Sequence, residues 1–247
     1  MSDGSILILK TGEAPPPVKL RYGDFEDWIA KGLGRPLESL EVSSVYKGES
    51  LPSVGSIRGV VITGSPAMVT ERSDWSEASA RWLERIVEAD SIPVLGLCYG
   101  HQLLAHALGG KVGSNPKGRE MGTVDVTFHF EEAGMIGENN GPAPIFEVGV
   151  LRAHMSHVES VLRPPENAKI LARTDLDPHS VLAFGPRQWG VQFHPEFDRE
   201  IMQGYVEARR DVLTSEGLDP DRMIAEAVET MPITRVLARF ADWVERS

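Results

Sequence analysis

The chain has 247 residues, 41% of them apolar and 25% charged, with a formal net charge of −11. Such a chain can bury a sizeable core, which excludes intrinsic disorder, and its length suits one large α/β domain or a domain with a helical extension. The acidic balance argues against nucleic acid as the main partner, because phosphate binding needs clustered Lys and Arg. No apolar run approaches the ~20 residues of a membrane span, and the N-terminus lacks the basic region of a signal peptide. A soluble, cytoplasmic protein with no membrane partner is the expectation. The single cysteine excludes an internal disulfide and a cysteine-rich zinc site within this sequence.

In chain order, Ile6 to Leu9 reads as a first buried strand, and Gly12 to Pro17 as a breaker-rich loop. Gly23-Asp24 precedes Phe25, Trp28 and Ile29, spaced as one face of a helix. Leu40–Val42 and Ser44–Tyr46 read as a second strand, and the β-branched run from Gly59 to Thr63 as a third, stopped by Gly64-Ser65-Pro66. Trp75 to Ala89 has helical periodicity. Pro93 to Leu97 is the next strand, followed at once by a helix from His101 to Leu108 with Gly109-Gly110 as its C-cap.

Strands alternating with helices imply βαβ units and a mostly parallel central sheet flanked by helices. The middle section differs. Val124 to Phe130 alternates like an antiparallel strand, and Glu131 to Pro144 reads as loop. Val181–Phe184 and Gly190–Phe193 are later strands joined by a Gly-Pro turn. From Arg199 the chain reads as helical: one helix to about Ser215, stopped at Gly217, a second capped by Asp219-Pro220 and broken by Pro232, and a last one capped by Thr234. The expected division is a catalytic domain over residues 1–198 and a C-terminal helical extension over 199–247, packed on the same domain. A lid or a dimer surface is the other reading of this tail.

Gly96-Leu97-Cys98-Tyr99-Gly100 has the form G-x-C-x-G between a strand and a helix, the nucleophile-elbow arrangement with Cys in place of Ser. Such a turn exposes the thiol at the C-terminal end of a parallel strand, where α/β folds hold their ligands. The N-terminus of the following helix favours a thiolate, and the Tyr99 N–H is positioned for an oxyanion. By itself the pentapeptide fits a buried cysteine at a tight connection equally well.

The segment Gly96 to Gln102 closely resembles the nucleophile segment of class I, triad-type glutamine amidotransferases, and Gln192-Phe193-His194-Pro195-Glu196-Phe197 resembles that family's second signature. Thr63-Gly64-Ser65-Pro66 resembles its glycine-rich oxyanion strand. Met155-Ser156-His157 and Arg119-Glu120-Met121-Gly122 resemble segments of the glutaminase domain of GMP synthetases. The resemblance runs from about Ile6 to Phe197. It implies a flavodoxin-like α/β fold with a small antiparallel element, and hydrolysis of the γ-amide of glutamine or a γ-glutamyl compound through a Cys98 thioester.

It also implies roles. Cys98 is the nucleophile, His194 its base and later acid, and Glu196 orients the imidazole. The oxyanion donors are the Tyr99 N–H and one from the Gly64-Ser65 turn. The family commonly has Gly where this chain has Ser65, so the choice between Gly64 and Ser65 is open. Gln102 and the backbone of Ser156, His157 and Val158 hold the α-amino and α-carboxylate ends of the substrate, while Glu120 has no assigned task. His101, His106, His129, His154 and His179 read as structural or surface residues. No metal or cofactor is implied.

No P-loop and no pyrophosphatase loop occurs in the sequence. The overall pattern resembles stand-alone GMP synthase-like glutamine amidotransferases, which favours a free-standing enzyme acting on a small-molecule substrate. The alternatives are a glutaminase subunit feeding ammonia to a separate synthetase subunit, and a non-catalytic binding or regulatory protein. Nothing in the sequence sets the oligomeric state.

Overall fold

The computed structural model describes residues 5–129 and 145–246. The loop expected over Glu131–Pro144, and Phe130 at the end of an expected strand, lie outside them. In chain order the strands are β1 (Ser5–Lys10), β2 (Glu41–Ser44), β3 (Ile57–Ile62), β4 (Val94–Leu97), β5 (Lys111–Ser114), β6 (Glu120–Phe128), β7 (Gly149–His157), β8 (Glu159–Arg163), β9 (Lys169–Arg173), β10 (Val181–Ala183) and β11 (Gln188–Val191). The helices are α1 (Pro16–Tyr22), α2 (Phe25–Leu33), α3 (Asp74–Glu88), α4 (Tyr99–Ala107), α5 (Arg199–Ala208), α6 (Arg210–Ser215), α7 (Pro220–Glu226) and α8 (Met231–Arg246).

One nine-stranded sheet organises the chain, in the order β2-β1-β3-β4-β11-β10-β9-β6-β7. From β2 to β11 neighbours run parallel, and from β11 to β7 they run antiparallel. The fold is the expected α/β architecture with a parallel centre. Its antiparallel share is larger than the alternation after Val124 announces: β9 and the separate β5–β8 pair carry no clean polar–apolar alternation, and β7, where Leu151 to Ser156 does alternate, adds a further strand.

The central strands are buried on both faces, which is why they read as continuous apolar runs. In β1, Ile6 and Ile8 enter one core, with α2, α5 and α8, while Leu7 and Leu9 enter the other, with α3 and α4. Asp24 starts α2 with a capping box, its carboxylate accepting from the Phe25 N–H while Asp27 accepts from the Asp24 N–H.

Five local readings are corrected. The stretch taken as loop up to Pro17 turns helical at Pro16, because prolines in a first helical turn cost no hydrogen bond. Helix α4 begins at Tyr99, two residues early, its first turn closed by the Gln102 N–H donating to the Cys98 carbonyl at 3.2 Å. In the tail, the helix expected to reach Ser215 breaks at Arg209 (φ −115°, ψ 12°) into α5 and α6. Pro232 lies in the first turn of α8 rather than ending α7, and the Thr234 hydroxyl donates to the Met231 carbonyl inside α8 rather than capping it. Val236, Leu237 and Phe240 of α8 join the same core as α2.

Candidate active site

The turn after β4 is built by close backbone approach. A Cβ on Gly96 would stand 2.5 Å from the Gly100 carbonyl, and one on Gly100 would stand 2.7 Å from Ile62 of β3. Only glycine at both positions lets strand, turn and helix meet this tightly. Between them Cys98 takes φ 50° and ψ −97°, a conformation rarely found outside glycine, so the residue carries backbone strain. Its amide donates to the Val191 carbonyl of the neighbouring strand at 2.8 Å. The thiol is 6% exposed and lines a cleft of about 160 Å³ whose walls include Ser65, Met68, Gln102, Ser156 and Arg209.

The parallel neighbour of β4 is β11, in register Leu97↔Val191. Three residues past that pair stands His194, its amide held by the His154 carbonyl at 2.9 Å. His194 Nδ1 lies 2.7 Å from Glu196 Oε1, with both side chains nearly inaccessible to solvent. The imidazole stacks on Phe197 at 4.1 Å between centroids and 14° between planes, with Phe25 near-parallel at 6.5 Å. Burial works against the charged ring, but the negative charges of Glu196 and of a Cys98 thiolate outweigh it and raise its pKa above the ordinary value. With Nδ1 held by Glu196, Nε2 is the nitrogen left for the Cys98 thiol, whose hydrogen bond adds to the rise.

The turn after β3 meets the same pair. A Cβ on Gly64 would stand 3.0 Å from His194 Cε1, so glycine is what allows the imidazole to approach. The Gly64 carbonyl accepts from the hydroxyls of Thr63 at 2.8 Å and Thr11 at 3.0 Å. In a trans peptide the following N–H points the opposite way, and that N–H belongs to Ser65, which lines the cleft. The Ser65 hydroxyl is occupied elsewhere, donating to the Thr11 carbonyl at 2.8 Å and accepting from the Ala67 N–H at 3.1 Å.

The remaining expected residues come from both halves of the sheet. Gln102 on α4 donates through Nε2 to the Glu159 carbonyl at 2.6 Å and to Gln192 Oε1 at 3.0 Å. Ser156 and His157 end β7, with Val158 immediately after, and all three line the cleft. The Ser156 carbonyl lies 3.9 Å from Cys98 Sγ. Glu120, across the β6–β7 ladder from His157, holds that ring at 3.0 Å through Nε2, and the Glu159 carbonyl holds Nδ1 at 3.0 Å. Glu120 thus fixes the side chain of the segment that ends the cleft wall.

Of the other histidines, His101 is fully buried and its pKa is pushed down to about 3 by burial, while His106 pairs with Glu77 at 2.9 Å. The His179 ring meets the Val161 carbonyl at 2.6 Å. Among the described residues no three His, Cys, Asp or Glu gather as metal ligands, and no helix is long and apolar enough to cross a membrane.

Sequence reasoning missed Gln192, whose Nε2 lies 3.5 Å from Cys98 Sγ, although it opens the hexapeptide that carries His194. It also missed Phe25 and Tyr205 around the imidazole, and Arg209 in the cleft wall. The one signal for Phe25 was its place in an apolar helical stripe, which reads equally as core.

The model of the class-I glutamine amidotransferase family matches residues 22–207, so the chain belongs to that family. A GMP synthase from Aeropyrum pernix is 38% identical over 218 residues, covering 84% of this chain and 39% of that protein. The chain therefore spans well under half the length of that relative. Gamma-glutamyl peptidase 3 from Arabidopsis thaliana is 26% identical, covering 84% of this chain and 87% of that protein. The crystal structure of a glutamine amidotransferase from Thermotoga maritima superposes with a TM-score of 0.75 at 22% identity, covering 99% of both chains, a likeness of fold.

Proposed function

We propose that the protein hydrolyses the γ-amide of glutamine or of a γ-glutamyl compound through a Cys98 thioester. The observation that carries this reading is the buried His194–Glu196 pair at the end of β11, one strand away from the strained Cys98 elbow. The Cys98 thiol gives its proton to His194 Nε2 as Sγ attacks the γ-carbonyl, and the carbonyl oxygen becomes an oxyanion facing the N–H groups of Tyr99 and Ser65. The pinned Gly64 carbonyl favours Ser65 over Gly64 as the second donor. As the C–N bond breaks, His194 gives its Nε2 proton to the departing amine. Water then adds to the thioester while His194 takes its proton, and glutamate leaves as Cys98 is restored. Glu196 fixes the ring orientation and stabilises the imidazolium throughout. Gln102 and the Ser156–Val158 segment hold the glutamyl end.

The match to a γ-glutamyl peptidase over most of both chains supports action on γ-glutamyl compounds without a second catalytic unit. The second reading, a glutaminase component that passes ammonia to a separate synthetase, is favoured by the 38% identity to a GMP synthase. Glutamate release from glutamine and from a γ-glutamyl dipeptide, together with intact-mass detection of an acyl adduct on Cys98, tests both. Turnover by the purified chain supports the first reading. Turnover of glutamine only after adding a synthetase supports the second. Absence of the adduct under both conditions sinks the thioester chemistry.

A further inference from the structure

The cleft beside Cys98 is lined by Gln102, by Ser156 to Glu159, by Arg119 and by Arg209. The guanidinium of Arg209 sits 4.8 Å over the Tyr205 ring centroid, and that ring in turn packs on Phe197 and His194. Arg209 occupies the break between α5 and α6, which turns its side chain into the cleft wall. Its Nη1 is buried without a hydrogen-bond partner, and no ion pair to Arg209 occurs among the described residues. Burial draws its pKa down, the mark of a desolvated cation. Arg119, in the same wall, is instead neutralised by Glu216 through contacts of 2.7 and 3.0 Å.

A buried guanidinium without an anion is unfavourable, and in a protein of net charge −11 carboxylates to pair with it are plentiful. The unpaired Nη1 therefore marks a place for an anion supplied from outside. The leaving amine departs on the His194 side, because His194 provides its proton, and Arg209 is reached from His194 across Tyr205. When the leaving group is an amino acid, its carboxylate stands two bonds from the departing nitrogen.

We infer that Arg209 binds the free carboxylate of the leaving group, making the preferred substrates γ-glutamyl amino acids rather than glutamine, whose leaving group is neutral. This rests on the proposed γ-glutamyl hydrolysis, and it adds the residue that selects among γ-glutamyl compounds. Arg209 touches the leaving group rather than the reacting carbonyl, so it determines specificity.

The test compares γ-glutamyl-alanine with γ-glutamyl-alaninamide, which differ only in that carboxylate. The purified chain should favour the acid by roughly 10- to 100-fold in kcat/KM, the span of one charge-assisted hydrogen bond. Arg209→Met should collapse this ratio toward unity, and Arg209→Lys should keep part of it. The same two ligands are titrated calorimetrically onto Cys98→Ala, which binds without turning over, so recognition is read even if hydrolysis fails. Tighter binding of the acid, lost in the Cys98→Ala/Arg209→Met double variant, supports the inference. Equal affinities for acid and amide overturn it, as does a wild-type preference that survives Arg209→Met. Failure of the hydrolysis reading shows separately, as absent turnover and absent Cys98 adduct with every substrate.

Discussion

The parallel and antiparallel halves of the sheet contribute to the cleft in different ways. The parallel half supplies the groups proposed to react, from consecutive strand ends: the Gly64-Ser65 turn after β3, Cys98 after β4 and His194 after β11. The antiparallel half supplies walls: the end of β7, held from β6 through Glu120 and His157. Backbone hydrogen bonding fixes the first set, since β3, β4 and β11 are adjacent. In the second, the Glu120–His157 side-chain pair adds to the β6–β7 backbone ladder.

Substitutions in the reacting set should produce the largest losses. Cys98→Ala should abolish turnover, at least about 10⁴-fold, and remove labelling by a glutamine-like electrophile. Because this is the only cysteine in the sequence, labelling that persists would refute the nucleophile assignment. His194→Ala should lower kcat by about 10³-fold and Glu196→Gln by less, about 10²-fold; the reverse order of rates would count against an orienting role.

The Glu196 change also has a spectroscopic readout. With the carboxylate present, the His194 imidazolium should persist above pH 6.5 in ring-nitrogen NMR titration, whereas Glu196→Gln removes one of the two charges that offset burial and should move the loss of the proton to lower pH. The sign for stability follows. A raised folded pKa means the stabilisation is complete below the unfolded value and fades as pH rises through the folded one.

Smaller effects should come from the turn that supports the pair. Gly64→Ala puts a methyl 3.0 Å from His194 Cε1 and should lower both melting temperature and kcat, at a cost of about 1–3 kcal/mol. Thr11→Val removes one of the two hydroxyls on the Gly64 carbonyl, and a fewfold drop in kcat, about 1 kcal/mol, is expected with KM little changed. A rise in KM at constant kcat would indicate that the turn binds substrate rather than the transition state.

The same contrast explains what was legible in the sequence. The reacting groups lie in short segments whose residues are neighbours in the chain, so Gly96 to Gln102 and Gln192 to Phe197 reveal their geometry directly. Glycine spacing around Cys98 reports close backbone approach, and the Pro195 link between His194 and Glu196 reports a side-chain pair. β7 was missed although Leu151 to Ser156 alternates apolar and polar residues, a pattern that pairing with β6 confirms. Arg209 was hidden for a different reason. The tail has helical spacing on both sides of it, and the break that turns it inward follows from packing rather than from a Gly or Pro. Position α1 was lost because consecutive prolines signal a loop unless they fall in a first helical turn.

The register Leu97↔Val191 has a consequence for how this site can change over time. Cys98 and His194 follow paired residues on adjacent strands, so their separation is inherited from a single interstrand step of ~4.8 Å. Connections rimming the cleft can be lengthened, shortened or replaced without touching that step. A chain built this way can exchange one clientele of amides for another by rebuilding its periphery, while the proposed bond-breaking pair stays in register.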